Sequence, residues 1–290
     1  MLEYFDIFLL EAVINGILLG GLLALLALGL NLIFGVIDVT WICYAELVMI
    51  GMYGMYFLVQ YYGLPYYVAA PVAILMVAGL GALLHLLVIA PLLNAAPINQ
   101  LLATGGVLFV LQSFATVAFG IDFRNLGIRL PVLRVAEMHF SYSRVLAFIV
   151  ALVGMLLVYF FMKRTFIGTA IRAIAQDRQI MPLMGVDTHR VYLVTSALGG
   201  ALAGLAACLL VLQYDVHPFI GLSFGPITFI ICVLGGLGNF VGGFVAAFLF
   251  AQIISLGGLY ADLEWGYVLA FAFFIVMMFI RPAGLLARRS

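Results

Sequence analysis

The chain has 290 residues, of which 67% are hydrophobic and 8% charged, and its 12 basic residues balance its 12 acidic ones. A soluble domain carries about 25% charged residues, so the composition excludes an ordinary soluble protein and leaves no basic footprint for nucleic acid. Continuous apolar stretches such as 145–162 also exclude an outer-membrane barrel, whose strands alternate in polarity over segments of about ten residues.

The expected class is an all-α polytopic membrane protein formed by one transmembrane domain, 1–290. A helix needs about 20 apolar residues to cross a hydrocarbon core of about 30 Å. Apolar runs bounded by charge, Pro or Gly place helices near 11–34, 38–60, 66–90, 99–120, 145–162, 191–213, 222–238, 240–258 and 265–280. That makes nine spans, or eight if 222–258 holds one span and a half-helix. The acidic start MLEYFDIFLLEAV lacks the basic n-region of a cleaved signal, so no processing is expected. Cys43, Cys208 and Cys232 lie singly in apolar runs and read as core thiols.

Five of the twelve basic residues (Lys163, Arg164, Arg172, Arg178 and Arg190) lie between 163 and 190, and Arg281, Arg288 and Arg289 follow the last span. The positive-inside rule puts both segments in the cytoplasm. An even number of crossings must separate them, and the nine-span reading supplies four. It leaves the N-terminus periplasmic and the C-terminus cytoplasmic. The loop 121–144 then faces outward despite Arg124, Arg129, Arg134 and Arg144.

ILLGGLLALLALGL (17–30) and SALGGALAGLAACLL (196–210) share a Gly-Gly pair and run in opposite directions in this topology. Inverted repeats of transporters show this pattern, although the Gly, Ala and Leu bias of membrane helices also produces such matches.

No phosphate-cradling P-loop is present, since the only lysine, Lys163, is followed by Arg164. Nor does an HExxH, GxSxG or paired-cysteine pattern point to an enzyme or a metal site. Asp38, Glu46 and His85 are the ionisable residues within spans. A carboxylate at membrane depth is costly and faces a cavity or a partner. Glu46 is therefore either functional or a local tie between two helices, and His85 reads as a packed histidine. The segment 163–190 is too polar for lipid. Ile167, Ala170, Ile171 and Ile174 recur at helical spacing opposite Arg172, Gln176 and Gln179, which predicts a short surface helix ending near Met181–Pro182, with Gly185 allowing the return.

The stretch TFIGTAIRAIAQDRQIMPLMGV resembles the cytoplasmic coupling loop of bacterial ABC permeases for branched-chain and other hydrophobic amino acids. Thr165, Gly168, Ala170, Arg172, Ala173, Asp177, Leu183, Gly185 and Val186 match its pattern. GLNLIFGV (29–36), GGLGNFVGG (235–243) and RPAGLL (281–286) extend the resemblance over almost the whole chain. It implies a type II ABC importer-like permease in the bacterial inner membrane. The implied partners are a second homologous permease, two cytoplasmic ATP-binding subunits that hold the ATP and Mg, a periplasmic binding protein and membrane lipid. The chain itself would carry no cofactor.

The coupling surface would comprise Gly168, Ala170, Arg172, Ala173, Asp177, Leu183 and Gly185. Asn31, Trp41, Tyr44, Glu46, Gly235, Gly236 and Gly238 would line the path, and Arg124, Arg129, Arg134, Asp215 and His217 would meet the binding protein. The chain departs from the family where I-G-M-I-N-F-A-H-G-E is usual. Trp41, Tyr44 and Ala45 replace the Asn, His and Gly, while Glu46, Met49, Gly51 and Tyr53 remain. The bulkier lining keeps a hydrophobic amino acid as leading cargo and admits an aromatic or other small carboxylate, with a short amide or urea less favoured. A stand-alone ion-coupled carrier, or a scaffold or channel, is the competing class.

Overall fold

The computed structural model describes residues 2–128, 132–135, 138–177, 181–260, 262–282 and 284–286. In chain order the helices are α1 (Leu2–Ile37), α2 (Tyr44–Gln60), α3 (Tyr66–Leu92) and α4 (Pro97–Phe119), then α5 (Tyr142–Arg164) and α6 (Phe166–Gln176), and finally α7 (Thr188–Leu210), α8 (Ile220–Gly235), α9 (Phe240–Tyr260) and α10 (Leu263–Ile280). Six of them, α1, α3, α4, α5, α7 and α9, are long and apolar enough to cross a membrane.

Two helix bounds need correction, while the expected helical class holds and gains only a short hairpin in the 121–144 loop, where Val132–Val135 (β1) and Met138–Ser141 (β2) pair antiparallel with Leu133 opposite Phe140. The helix expected over 38–60 starts only at Tyr44. Asp38 adopts φ 58°, a left-handed conformation that Asp tolerates better than most residues, and its N–H closes α1 on the Phe34 carbonyl at 2.8 Å. The helix expected over 222–238 stops at Gly235, where Gly236 turns to φ 93°.

Within α3, His85–Ile89 form a π turn in which the Ala90 N–H reaches the His85 carbonyl. Pro91 follows directly and has no N–H to continue the ladder, which explains the local widening.

The core is built on α1, which packs most extensively against α9, while α7 packs most extensively against α3. The pairing is reciprocal: α1, the first helix of the run α1–α5, packs on α9, the third of the run α7–α10, and α7, the first of the second run, packs on α3, the third of the first. Glycine permits the second contact. A Cβ on Gly200 would lie 2.6 Å from the Val77 carbonyl oxygen, and one on Gly81 2.8 Å from that of Ser196. Small residues let membrane helices approach this closely, and packing rather than hydrophobicity then holds them together. The helices at the second place of each half, α2 with 17 residues and α8 with 16, are short and entered through irregular segments.

Candidate functional site

Short helices at corresponding places in two halves mark transport sites, because their ends expose backbone dipoles inside the bundle. Here α2 and α8 are neighbours, and their first turns meet. Between them and α4 lies a cavity of about 330 Å³, walled by Trp41 and Ile42 before α2, Tyr44 and Ala45 at its start, Leu101 and Leu108 of α4, and Gly221, Leu222, Gly225, Pro226 and Thr228 of α8. The wall is almost wholly apolar. Its polar side chains are those of Trp41, Tyr44 and Thr228, the last donating to the Phe224 carbonyl at 2.7 Å, and Pro226, having no N–H, also leaves the carbonyl of Leu222, four residues earlier on the same wall, without its usual helical donor.

Behind this wall stands Glu46, fully buried. Neither carboxylate oxygen has a hydrogen-bond partner among the described residues. It belongs to the first turn of α2 and abuts Gly221, the second residue of α8. The positive ends of two helix dipoles therefore bear on it and offset part of the cost of burying a carboxylate.

The residues expected along the path divide into two groups. Trp41 and Tyr44 line the cavity and Glu46 backs it. Asn31 and the three glycines instead form a separate cluster at the α8–α9 break. Asn31 is fully buried; its Oδ1 accepts from the Gly238 N–H at 3.2 Å and its Nδ2 donates to the Asn239 carbonyl at 3.5 Å. Gly235 packs directly on Gly242 and Gly243, where no side chain fits. This cluster shapes the turn and does not line the cavity. The sequence reading missed Gly221, Gly225 and Pro226, whose signal was the spaced glycines and proline of GLSFGP.

At one end of α5 the chain turns into α6. Thr165 caps α6, accepting from the Gly168 N–H at 3.0 Å, and Gly168 lies so close to Met162 that a Cβ would meet its Cα. Ala170, Ile171 and Ile174 are buried, Ala173 is half-buried, and Arg172 and Asp177 are exposed. Ile167 is exposed instead of buried, and the helix stops at Gln176, earlier than expected, because Asp177 is extended at φ −151°. Met181–Met184 form a 3-10 turn, and Gly185 takes φ 79°. Phe166 (82% exposed), Leu183 (84%) and Met184 (73%) project from this polar end.

At the other end of α5 lie the hairpin and the remaining expected docking residues. Arg124 and Val216 form a two-way backbone bridge, with N–H to O distances of 2.9 and 2.7 Å. The Arg124 guanidinium donates to the Phe119 carbonyl and lies 5.5 and 5.4 Å from the ring centres of Tyr56 and Phe57. Arg124 thus pins its loop to the helix ends. Asp215 accepts from Asn125 at 2.7 Å, and the His217 ring packs 4.6 Å from Phe123. Arg129 lies outside the described residues, and Arg134 is placed by its backbone opposite His139.

Comparison with known proteins bears on what this arrangement does. The family model described as "Branched-chain amino acid transport system / permease component" matches residues 12–278. The chain belongs to this permease family. It is 28% identical to the high-affinity branched-chain amino acid transport system permease protein LivH of Salmonella typhimurium, over 97% of this chain and 96% of that one. With the corresponding protein BraD of Pseudomonas aeruginosa the identity is 26%, over 96% of each chain. The permease protein LivM of Escherichia coli is 25% identical over 90% of this chain and 67% of its own length. Among solved structures, PsaBC from Streptococcus pneumoniae in complex with Fab superposes with a TM-score of 0.56 at 14% identity, covering 98% and 97% of the two chains, which shows a shared fold. The permease thus combines the family's helical frame with an apolar cavity and a polar, partly apolar-faced end.

Proposed function

We propose that this permease is the membrane-spanning subunit of an ATP-driven ABC importer that moves a hydrophobic, branched-chain-type amino acid delivered by a periplasmic binding protein. The observation that carries the reading is α6 with its return segment. Ile171 and Ile174 anchor it to the bundle, while Phe166, Leu183 and Met184 stay exposed beside Arg172 and Asp177. A polar end with projecting apolar side chains fits a surface that another subunit covers. In this reading two ATPases dock there, and their closure moves α6 against α1, α5 and α7.

Nine helices, all except α6, cross the inner membrane, with α2 completing its crossing through the irregular segment before it. In this reading the charges of Lys163, Arg164, Arg172, Arg190 and Arg281 turn the α6 end to the cytoplasm by the positive-inside rule, and the hairpin and the Asp215–His217 turn face the binding protein in the periplasm. A second homologous permease completes the path. Cargo enters the cavity beside Trp41 and Tyr44; its side chain meets the apolar wall and its ammonium group meets the Leu222 carbonyl. The aromatic lining also suits an aromatic carboxylate.

The burial of Glu46 favours one competing reading, a stand-alone ion-coupled carrier. The two are separated by extracting the tagged protein from native membranes in mild detergent and identifying what co-purifies. Two ATP-binding subunits and a second permease support the importer. A homo-oligomer that still transports overturns it.

A further inference from the structure

A second cavity, sharing no lining residue with the one beside Glu46, lies between α1, α5 and α9 and ends at α6. Its volume is about 420 Å³. Leu28, Met155 and Phe244 belong to its apolar wall, and Lys163 and Arg172 stand at its α6 end with Tyr159. Among the described residues no acidic side chain lines it. Lys163 Nζ lies 3.4 Å from the Tyr159 hydroxyl and 5.6 Å from the centre of its ring, and Arg172 donates to Thr169 Oγ1 at 3.5 Å. The partners of both cations among the described residues are thus neutral hydroxyls.

We infer that this groove holds one anionic phospholipid, its acyl chains along Leu28, Met155 and Phe244 and its phosphate between Lys163 and Arg172. An apolar trough ending in two cations, at the level where a bundle meets the headgroups, matches a lipid in both shape and charge. A soluble anion would use the cations and leave the trough uncovered, and a zwitterionic lipid would bring a second positive charge to the same mouth. The lipid would bridge α5 to α6 and so tether the surface helix to the membrane. The trough and Lys163 do not depend on the transport reading; the leaflet does, as does the second role of Arg172 on the proposed coupling surface.

The test is native mass spectrometry of the full chain, in whatever complex it purifies with, after titration with dioleoyl phosphatidylglycerol or dioleoyl phosphatidylcholine. The wild type is expected to retain one phosphatidylglycerol per chain and no phosphatidylcholine. The Lys163→Gln/Arg172→Gln double variant should retain it about tenfold or more weakly, since each basic group near a headgroup contributes severalfold. Val241→Trp, which narrows the trough from an exposed position and leaves both charges in place, should also displace it, whereas Arg144→Gln at the opposite end should not. Equal retention of the two lipids, or undiminished phosphatidylglycerol in the double variant, would overturn the site. Loss in the double variant with full retention in Val241→Trp would reduce it to headgroup attraction and overturn the groove.

Discussion

The carboxylate of Glu46 fills the space that a side chain on Gly221 would occupy: a Cβ there would lie 2.6 Å from Cδ of the acid. Two elements far apart in sequence are thus fitted around one buried acid. Gly221→Ala should force the carboxylate, the far end of a flexible side chain, out of place, at the low end of the about 1–3 kcal/mol that overpacking costs. Thermal unfolding in detergent checks this. Glu46→Gln, which keeps the volume, should restore neither the lost stability nor transport when combined with Gly221→Ala, because the clash is steric.

Asn31 is the tie between α1 and the turn after α8. Asn31→Ala removes both bonds and leaves buried backbone groups unpaired, so stability should fall by about 1–3 kcal/mol. Trp41→Ala, at the cavity wall, should instead change which amino acids compete for uptake. Loss of uptake alone in Asn31→Ala, with unchanged thermal stability, would show that the residue touches cargo after all.

Arg172→Ala and Asp177→Ala are expected to uncouple transport without unfolding the protein, and unchanged uptake in both would contradict the coupling role. Leu183 is a sharper probe because it is 84% exposed. An exposed substitution with no structural role shifts stability by about 0.5 kcal/mol or less, so Leu183→Asp should leave the melting temperature in place while abolishing co-purification of the ATP-binding subunits.

Burial lowers the pKa of His217 from its ordinary 6.5, and the charge of Asp215 opposes the shift. The packed state therefore holds the neutral ring, while a released ring titrates at its ordinary value. Above that value the packing on Phe123 is fully present, and it weakens as pH falls below about 6.5, because the released ring then takes up a proton first. Hydrogen exchange at the Arg124 and Val216 amides, corrected for intrinsic rates, should be faster at about pH 5 than at about pH 8, and His217→Phe should remove the difference.

Most of the helices are legible in the sequence, since long apolar runs in a chain with few charges can only be spans. The late start of α2 is not, because Val39, Trp41, Ile42 and Cys43 are as apolar as the helix they precede, and only the left-handed Asp38 marks the break. Ile171 and Ile174 correctly announce the buried face of α6, but periodicity could not show that Ile167, one turn earlier, points away. The hairpin was hidden in an arginine-bearing loop with short strands. The cavity was half legible: Trp41, Tyr44 and Glu46 drew attention as departures or as charge, whereas its far wall, Gly221 to Thr228, carries no charge and is recognised only once α8 lies against α2.

The central claim is tested most directly by uptake. Proteoliposomes would carry the complex purified through this chain, with ATP supplied at the face of the ATP-binding subunits, and accumulation of radiolabelled leucine would be compared with that by a Gly225→Leu variant, whose side chain fills the cavity. The account predicts accumulation against a gradient only with ATP, and its loss in the variant. Accumulation without ATP, driven by a proton gradient and abolished by Glu46→Gln, would contradict it.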